Sequence, residues 1–183
     1  LRARTYLLGS KLEVKRFFNL KPAVRKVNPE PVAAPLSGQL LREEYERIKS
    51  EYELFSTKNY SVVCAPTRVI PHLINEIGRL RELTFREVGE GTNKSTDIDE
   101  YDLYYNHLFI WDNDADRIVG SYRIGKGREI ANIYGIRGFY INSLFKIRNS
   151  FLPVLKESLE LGRSFIVKDY QKKAIPLFLL WKG

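Results

Sequence analysis

Apolar positions recur at helical spacing in two segments that follow a proline-containing stretch. Residues 39–54 and 71–88 each place an apolar side chain every three or four positions with charged residues between, and the second segment begins with a proline, which suits the first turn of a helix. Both are predicted to be amphipathic helices, with apolar faces formed by Leu40, Leu41, Tyr45, Ile48 and Tyr52 and by Leu73, Ile77, Leu80, Phe85 and Val88.

Four shorter apolar runs have the length and composition of strands. They are YSVVCA at 60–65, NHLFIWD at 106–112, RIVGSYRI at 117–124 and SLELGRSFIV at 158–167. The NDAD sequence between the second and third runs predicts a hairpin. A calcium loop starting at Asp112 is rejected, because Arg117 occupies the position that requires glycine and Arg123 the position that requires glutamate.

The order of predicted elements indicates one α/β domain. Residues 141–155 are predicted to be mostly helical until Pro153, and residues 174–181 to begin a buried helix. The resulting order is helix, strand, helix, strand, strand, helix, strand, helix, which is typical of a sheet flanked by helices. Four prolines between residues 22 and 35 indicate a semi-rigid linker. We therefore predict an arm and linker at 1–38 and the domain at 39–183.

The formal charge of +8 is concentrated in the predicted arm. Residues 1–28 contain eight lysines and arginines against Glu13, so the body is nearly neutral. Such an arm suits an anionic membrane surface or an acidic protein, with a merely solvated tail as the alternative, and nucleic acid is not predicted as a partner. The single cysteine, Cys64, excludes an intrachain disulfide. With no apolar run of membrane-span length and no signal peptide, we expect a cytoplasmic protein, with peripheral contact to the inner membrane face as an alternative.

Two clusters of charge require partners. The loop DIDEYD contains Asp97, Asp99, Glu100 and Asp102, and carboxylates this close repel one another unless cations are near. The arginines available are Arg81, Arg86, Arg123 and Arg163. Glu160 and Arg163 lie within an apolar strand, on opposite faces unless a bulge at Gly162 turns Arg163 round. A solvated turn and a structural ion pair remain alternatives to catalysis.

Lysines also surround the start of the last predicted helix. Lys168, Lys172 and Lys173 lie next to helix amides that would be exposed, a combination that favours a phosphate, although a capped surface turn fits equally well. The two histidines, His72 and His107, are predicted to be structural, and the sequence contains no Ser-His or Cys-His arrangement for a covalent intermediate.

Together these motifs resemble a known family over about residues 58–183. Arg81 with Phe85, DIDEYD, HLFIWD, IVGSYRI, LELGRSFIV and LFLLWKG resemble the N-acyltransferase branch of the GNAT superfamily. This branch includes ornithine-lipid and glycine-lipid N-acyltransferases and proteins labelled hemolysins. The acyl-homoserine-lactone synthases are more distantly similar. Residues 1–20 also resemble the end of a glycerolipid acyltransferase domain.

The resemblance implies a fold and a reaction. It implies a GNAT-like mixed sheet flanked by helices, of which these residues would form the N-terminal half, so we expect a fragment with little activity alone. The implied enzyme transfers a long 3-hydroxyacyl chain from acyl carrier protein to an amino acid amine in aminolipid synthesis. Three alternatives remain: synthesis of an acyl-homoserine-lactone type of signal, acetylation that depends on acetyl-coenzyme A, and a non-catalytic domain that docks carrier protein or membrane.

The resemblance also implies roles for individual residues. Glu160, Asp97, Asp99 and Arg163 would be catalytic, with Glu160 favoured as the base, and the backbone near Ser164 to Ile166 would supply an oxyanion donor. The implied substrate-binding residues are Arg81, Phe85, Asp102, Arg123, Ser164 and Phe165, and the implied cofactor-binding residues are Val167, Lys168, Lys172 and Lys173.

The same comparison bears on the acyl donor. No metal and no tightly bound cofactor are expected. Because the turn DYQKKAIP lacks the glycines of a pyrophosphate loop, the phosphopantetheine of acyl carrier protein is the expected donor, with acyl-coenzyme A as the alternative. The acceptor amine and the oligomeric state stay open.

Overall fold

The computed structural model describes residues 28–183, in which five strands and six α-helices are found. The resemblance of residues 1–20 to an acyltransferase tail and nearly all of the predicted basic arm lie outside the described residues. The elements are α1 (Gly38–Tyr52), β1 (Glu53–Thr57), β2 (Tyr60–Pro66), α2 (Pro71–Glu87), β3 (Asn106–Asp112), β4 (Arg117–Lys126), α3 (Gly127–Tyr134), α4 (Ile141–Leu144), α5 (Leu152–Lys156), β5 (Leu159–Ile166) and α6 (Ala174–Lys182).

The five strands form one sheet in chain order, with every neighbouring pair antiparallel. The predicted α/β class with flanking helices is confirmed, while the sheet described here contains no parallel pair. The hairpin between β3 and β4 is also confirmed. Its acidic turn is held by Asp112, whose Oδ1 accepts from the amides of Asp114 and Ala115 at 3.0 and 3.1 Å.

Helices cover both faces of the sheet, which explains why β3 is buried along almost its whole length. On one face α1 packs through Tyr45, whose ring stacks on that of Trp111 with centroids 4.8 Å apart. Leu108 and Val62 point to the opposite face, where they meet Gly183 next to α6. Within the described residues, no helix is both long enough and apolar enough to cross a bilayer.

The connection between β4 and β5 packs on Tyr105, which precedes β3, and forms with it a second, smaller core. The other members of this core are Ile130, Ala131, Phe139 and Leu155. The single helix predicted for residues 141–155 is wrong, because the structure has α4 and α5 separated by an extended stretch and a 3-10 turn. Pro153 lies in the first turn of α5 and starts a helix instead of ending one. Helix α3 and strand β1 were not predicted, since both are short and carry mixed patterns.

The described end of the predicted linker runs along the domain. The amides of Glu30 and Ala33 donate to the carbonyls of Asn93 and Ser95 at 3.0 and 2.9 Å, and Leu36 packs against the main core. These contacts come from the loop after α2, which is itself held by the buried carboxylate of Glu82. The domain boundary at residue 38 stays a prediction.

A buried carboxylate on α1 caps the start of α2. Glu44 is almost fully buried, and its Oε2 accepts from the amides of His72 and Leu73 at 2.9 and 2.5 Å, while its Oε1 pairs with Arg47 at 3.1 Å. These amides have no partner within their own helix, because the first helical turn lacks carbonyls to receive them. Glu44 therefore performs the capping role that Ile70, the residue before the helix, lacks the side chain to perform.

We expect Glu44→Ala to lower the free energy of unfolding by about 2–4 kcal/mol, because it removes a cap and leaves two buried amides unpaired. Urea denaturation followed by circular dichroism measures this change. The neighbouring variant Glu43→Ala is the control, since Glu43 is exposed and bonds only Gln39 in the described residues, and it should change stability by less than about 0.5 kcal/mol. Equal effects of the two variants would contradict the capping role.

Candidate active site

The acidic loop lies directly against α2. The amide of Asp97 donates to the carbonyl of Gly78 at 3.0 Å, and the side chain of Ile98 occupies the space where a Cβ on residue 78 would stand, about 2.5 Å away. A larger residue at position 78 would therefore push the loop off the helix. This close approach brings the carboxylates of the loop to the arginines that the sequence identified on α2 and on the sheet.

Asp102 lies between two buried arginines. Its Oδ2 accepts from Arg81 Nη2 at 2.7 Å and from the amide of Asp99 at 2.9 Å, and its Oδ1 accepts from Arg81 Nη1 and Arg123 Nη1 at 3.2 and 3.3 Å. All three charged side chains are at most 1% exposed. The charges are therefore paired in a place that water does not reach, which is the condition for burying them at all.

These pairings set the protonation of the buried groups. Burial opposes the charge of Asp102, but the hydrogen bonds and charges of Arg81 and Arg123 outweigh it and lower its pKa to about 2. Burial also opposes the charge of Arg123, and Asp99 and Asp102 nevertheless raise its pKa. Burial lowers the pKa of His107 to about 4. That histidine is neutral at pH 7 and faces the carbonyl of Asp102 at 3.2 Å, in agreement with a structural role.

The other two aspartates of the loop extend the network to the strand β5. Asp97 Oδ2 lies 3.1 Å from Arg81 Nε and 3.5 Å from Arg163 Nη1, and burial raises its pKa against the opposing effect of both arginines. Asp99 Oδ1 accepts from Arg123 Nη1 at 2.6 Å. Its Oδ2 lies 3.7 Å from Arg163 Nη2, and the side chain is 21% exposed. Asp99 is thus the most accessible of the three carboxylates.

Arg163 reaches this network because β5 contains a bulge. Ser121 faces Phe165 and Arg123 faces Gly162, so β5 has one residue more than β4 between these pairs, and Arg163 adopts a φ of 56°. The bulge places Arg163 over the ring of Tyr140, on the side where Glu160 bonds the amide of that tyrosine. The sequence left two arrangements open for Arg163. The structure has the one in which a bulge turns Arg163 to the face of Glu160.

Glu160 is held by the segment that begins α4. Its Oε2 accepts from the amide of Tyr140 at 3.0 Å and from the hydroxyl of Tyr105, and its Oε1 accepts from the amide of Ile141 at 2.6 Å. Burial and the bond to Glu160 raise the pKa of Tyr105. A carboxylate can accept about four hydrogen bonds, so three partners leave Glu160 little free capacity.

Tyrosine rings surround the arginines. The guanidinium of Arg123 lies over the rings of Tyr101, Tyr105 and Tyr140 at 5.4, 5.4 and 4.9 Å. Tyr101 and Tyr105 lie in and just after the acidic loop, but neither they nor Tyr140 were predicted as site residues. Tyr105 follows the acidic loop closely, a signal that could have identified it. Tyr140 has no such signal, since only the fold brings it to the site.

A cleft of about 330 Å³ opens beside the bulge. Its lining is mainly apolar, and Tyr122, Arg163 and Ser164 are the lining residues that have a polar group in their side chains. Arg163 therefore belongs both to the charged network and to the wall of the cleft. The lining residues are Tyr122, Leu161, Gly162, Arg163, Ser164, Leu177, Leu180 and Trp181.

The structure does not bring every predicted site residue to this cleft. The side chains of Phe165 and Val167 are buried in the main core, and the amide of Val167 donates to the carbonyl of Val119 at 2.9 Å. Phe85 also packs against the main core. These positions offer a ligand no free side chain.

The three predicted cofactor-binding lysines lie in the turn after β5, outside the lining of the cleft. Lys168, Lys172 and Lys173 are all exposed. Lys168 pairs with Glu87 at 3.0 Å, and Lys173 lies over the ring of Tyr170 at 4.3 Å. Lys172 is the one for which the described residues show neither an ion pair nor a contact with an aromatic ring.

The charges of the network balance. Three aspartates face three arginines, so these six residues do not form the negative pocket that the acidic loop alone predicted. A cationic amine would therefore be held by a carboxylate oxygen that the arginines leave partly free. Asp99 Oδ2 meets that condition best, because its nearest arginine nitrogen is 3.7 Å away.

The sequence is similar to a family of acyltransferases and to several curated relatives. Residues 80–181 match the family model described as "Acetyltransferase (GNAT) domain". A glycine N(alpha)-acyltransferase of Phocaeicola vulgatus is 35% identical over 166 residues, which cover 84% of this chain and 50% of the relative. A glycine N(alpha)-acyltransferase of Bacteroides thetaiotaomicron is 32% identical over 165 residues, which cover 84% of this chain and 49% of the relative.

A third relative has a different acceptor in its name. An L-ornithine N(alpha)-acyltransferase of Rhizobium meliloti is 34% identical over 111 residues, covering 57% of this chain and 36% of the relative. The chain thus spans about half the length of the two glycine-named relatives, and less of the third. No solved structure gives a significant match.

We expect the stability of the protein to fall in acid as Asp102 takes up a proton. Its pKa is lowered in the folded state, so its contribution is present above the unfolded value, near 4, and is lost as the pH falls through about 2. Between about pH 5 and pH 2 this loss amounts to about 2 kcal/mol. NMR titration of the Asp102 carboxyl carbon measures the pKa directly, and urea denaturation at each pH measures the energy.

Two variants test the assignment of this acid dependence. Asp102→Asn should remove the share of it that comes from Asp102, and should also cost about 3–5 kcal/mol at neutral pH by leaving two buried arginines without their partner. Asp114→Asn, an exposed aspartate of the hairpin turn, controls for the loss of one carboxylate and should keep the acid dependence. A pKa near 4 for Asp102 would contradict the pairing described above.

Proposed function

The chain belongs to the GNAT acetyltransferase family, and from that premise we propose that it transfers a long 3-hydroxyacyl chain from acyl carrier protein to the α-amine of an amino acid. The family match bears out the predicted acyltransferase-type domain. The names of the relatives support an amino acid acceptor, glycine in two cases and ornithine in the third. The product would be an N-acylated amino acid, as in the first step of aminolipid synthesis.

The position of Arg163 is the observation that carries this proposal. Arg163 lines an apolar cleft large enough for part of an acyl chain, and it also pairs with Asp97 and Asp99 in the charged network. The same residue therefore joins an apolar binding surface to carboxylates that suit an amine. Acyl transfer to an amine requires these two environments to meet.

The reaction requires a neutral amine. Free amino acid amines are largely protonated at pH 7, so a carboxylate must hold the ammonium and accept its proton, directly or through water, before attack on the thioester carbon. Asp97, Asp99 and Glu160 are the candidates. Asp97 is buried and both oxygens of Glu160 accept hydrogen bonds, whereas the three hydrogen bonds of Asp99 all go to Oδ1 and its side chain is partly exposed. We propose that Asp99 binds the amine and that Glu160 orients Tyr105 and the start of α4.

The tetrahedral intermediate requires a donor for its oxyanion. The bulge interrupts regular pairing between β4 and β5 at Arg163 and Ser164, so a backbone amide between Ser164 and Ile166 is the proposed donor. The nitrogen of the amine would bond to the thioester carbon, and the carbon–sulfur bond would break. The thiol of the donor would leave with a proton, and no covalent enzyme intermediate forms.

The acyl donor is proposed from the turn after β5. The sequence DYQKKAIP has no glycine to approach a pyrophosphate, and its lysines are exposed. Acyl carrier proteins are acidic, and their prosthetic arm has a single phosphate. Lys172 and Lys173 would therefore meet the acidic surface of a carrier protein more readily than they would replace a pyrophosphate loop. Acyl-coenzyme A is the alternative donor.

We expect the protein, assayed over its full natural length, to form an acylated amino acid from 3-hydroxyacyl carrier protein and glycine or ornithine, detected as a mass increase equal to one acyl group. Asp99→Asn should lower the rate by about 10²–10⁴-fold, because the amine loses its base. Glu100→Gln is the matched control, since Glu100 is the exposed neighbour of Asp99, and it should keep the wild-type rate within about twofold.

The same assay shows whether Asp99 or Glu160 is the base, and whether the protein is an enzyme or a docking domain. Glu160→Gln should lower the rate while leaving its pH dependence unchanged if Glu160 orients its neighbours, and should alter the pH profile if Glu160 is the base. Absence of product with every amino acid, while carrier protein still binds the chain, would sink the enzymatic proposal. The non-catalytic docking domain would then be the better account.

We expect the double variant Lys172→Glu, Lys173→Glu to weaken the binding of acyl carrier protein by at least about tenfold, with a weaker salt dependence than the wild type. Calorimetry or surface plasmon resonance at several salt concentrations measures this. Lys58→Glu, an exposed lysine in the turn between β1 and β2, is the charge-matched control for one reversal. Unchanged binding in the double variant would place the carrier protein elsewhere on the chain.

A further inference from the structure

The segment between β4 and β5 exposes an unusual amount of apolar surface. Besides Tyr134, six large apolar side chains between residues 133 and 154 are 37% to 71% exposed. We refer to them as the outer face of the β4–β5 segment. They are Ile133, Ile141, Leu144, Phe145, Phe151 and Val154.

Packing of the domain does not explain this face. The same segment supplies Ile130, Phe139 and Leu155 to the small second core, and those side chains are at most 7% exposed. The core is therefore built from one set of apolar residues, and a second set from the same short helices points to solvent. Exposed apolar side chains this numerous in one short segment indicate contact with a partner or with a lipid.

The central part of the segment, residues 130–156, has charge of one sign. Residues 130–156 contain Arg137, Lys146, Arg148 and Lys156 and neither aspartate nor glutamate. Glu129 and Glu157 border the segment, and each pairs with its own basic neighbour, Lys126 at 3.3 Å and Arg128 at 2.7 Å. The four basic residues inside the segment thus form no ion pair within residues 28–183.

We propose that the outer face of the β4–β5 segment docks on the surface of an anionic lipid bilayer. Exposed aromatic and aliphatic side chains on short helices, interleaved with lysine and arginine, have the composition of a helix that lies in a membrane interface. The apolar side chains enter the boundary between headgroups and acyl chains, and the basic side chains contact anionic headgroups.

The charge also argues against the other occupants of such a face. Two copies of the chain that met through this face would bring two sets of four unpaired basic residues together, which disfavours self-association. An acidic protein would pair with the basic residues but would also have to match six separate apolar side chains in shape. A bilayer requires no such match.

This inference is independent of the acyl-transfer proposal, because none of the six residues belongs to the charged network or lines the cleft. It is also separate from the basic arm at residues 1–28, for which the sequence predicted membrane contact by charge alone. The two surfaces differ in a measurable way. Binding through the arm would be electrostatic and lost at high salt, whereas apolar insertion persists.

The first experiment measures co-sedimentation of the whole chain with vesicles of phosphatidylcholine and of phosphatidylcholine mixed with phosphatidylglycerol. The wild type should bind the anionic vesicles and retain part of that binding at high salt. The double variant Leu144→Ser, Phe145→Ser should lower the partition coefficient by at least about tenfold. Lys146→Glu, Arg148→Glu should lower it by at least about tenfold on anionic vesicles only.

Matched controls use exposed residues elsewhere. Leu54→Ser, Val88→Ser removes two apolar side chains that are 51% and 68% exposed, and Lys58→Glu reverses an exposed charge. These controls should bind vesicles as the wild type does. Circular dichroism and the melting temperature of every variant show whether it is folded. Because all the substituted side chains are exposed, we expect all the variants to fold.

A second experiment reports insertion directly. Tryptophan introduced by Phe145→Trp should shift its emission to the blue when anionic vesicles are added, and should be quenched by lipids with brominated acyl chains. Leu54→Trp should show neither effect. Difference spectra against the wild type remove the signals of Trp111 and Trp181.

Three results would overturn the proposal. The first is vesicle binding that is the same in the wild type and in Leu144→Ser, Phe145→Ser. The second is emission from Phe145→Trp that is already blue-shifted without vesicles, because the face would then be covered by another part of the chain. The third is a dimer, seen by sedimentation velocity and abolished by Leu144→Ser, Phe145→Ser, with no binding to vesicles.

Discussion

The burial of Arg81 and Arg123 is the constraint on which the site depends. Both guanidinium groups are inaccessible to water, and a buried guanidinium group must be paired inside the protein. Asp102 satisfies both at once, and it is held in place by the amide of Asp99. A loop rich in carboxylates must therefore lie next to α2, because the buried arginines have no water to pair with.

That constraint also links the loop to the sheet. Arg81 belongs to α2 and Arg123 to β4, and Arg163 on β5 binds the same loop from the far side. Helix, loop and two strands are thus fastened by one set of ion pairs. The network ends at the cleft, because Arg163 also lines it. The charges that stabilise the loop are consequently next to the apolar surface where an acyl chain would lie.

The identity of the charged site residues was more predictable from the sequence than the detailed geometry of the site. Carboxylates crowded into one loop require cations nearby, so the pairing of Arg81 and Arg123 with the acidic loop could be anticipated. The holding of Glu160 by the amides of Tyr140 and Ile141 could not, because those amides are separated from it by about 20 residues whose helices carry no clear pattern. For the same reason α3 and the break between α4 and α5 were missed.

The sequence by itself determined the α/β class, the β3–β4 hairpin and the identity of the charged residues, because periodicity and charge are local properties that the chain displays directly. Tertiary structure alone decided which carboxylate stays accessible and which way Arg163 points. The accessibility depends on how the loop packs on α2, and the direction of Arg163 depends on a single extra residue in β5, which shifts side chains between the faces of the sheet. Such a bulge arises from pairing with β4, and a residue pattern read along one strand does not contain that information.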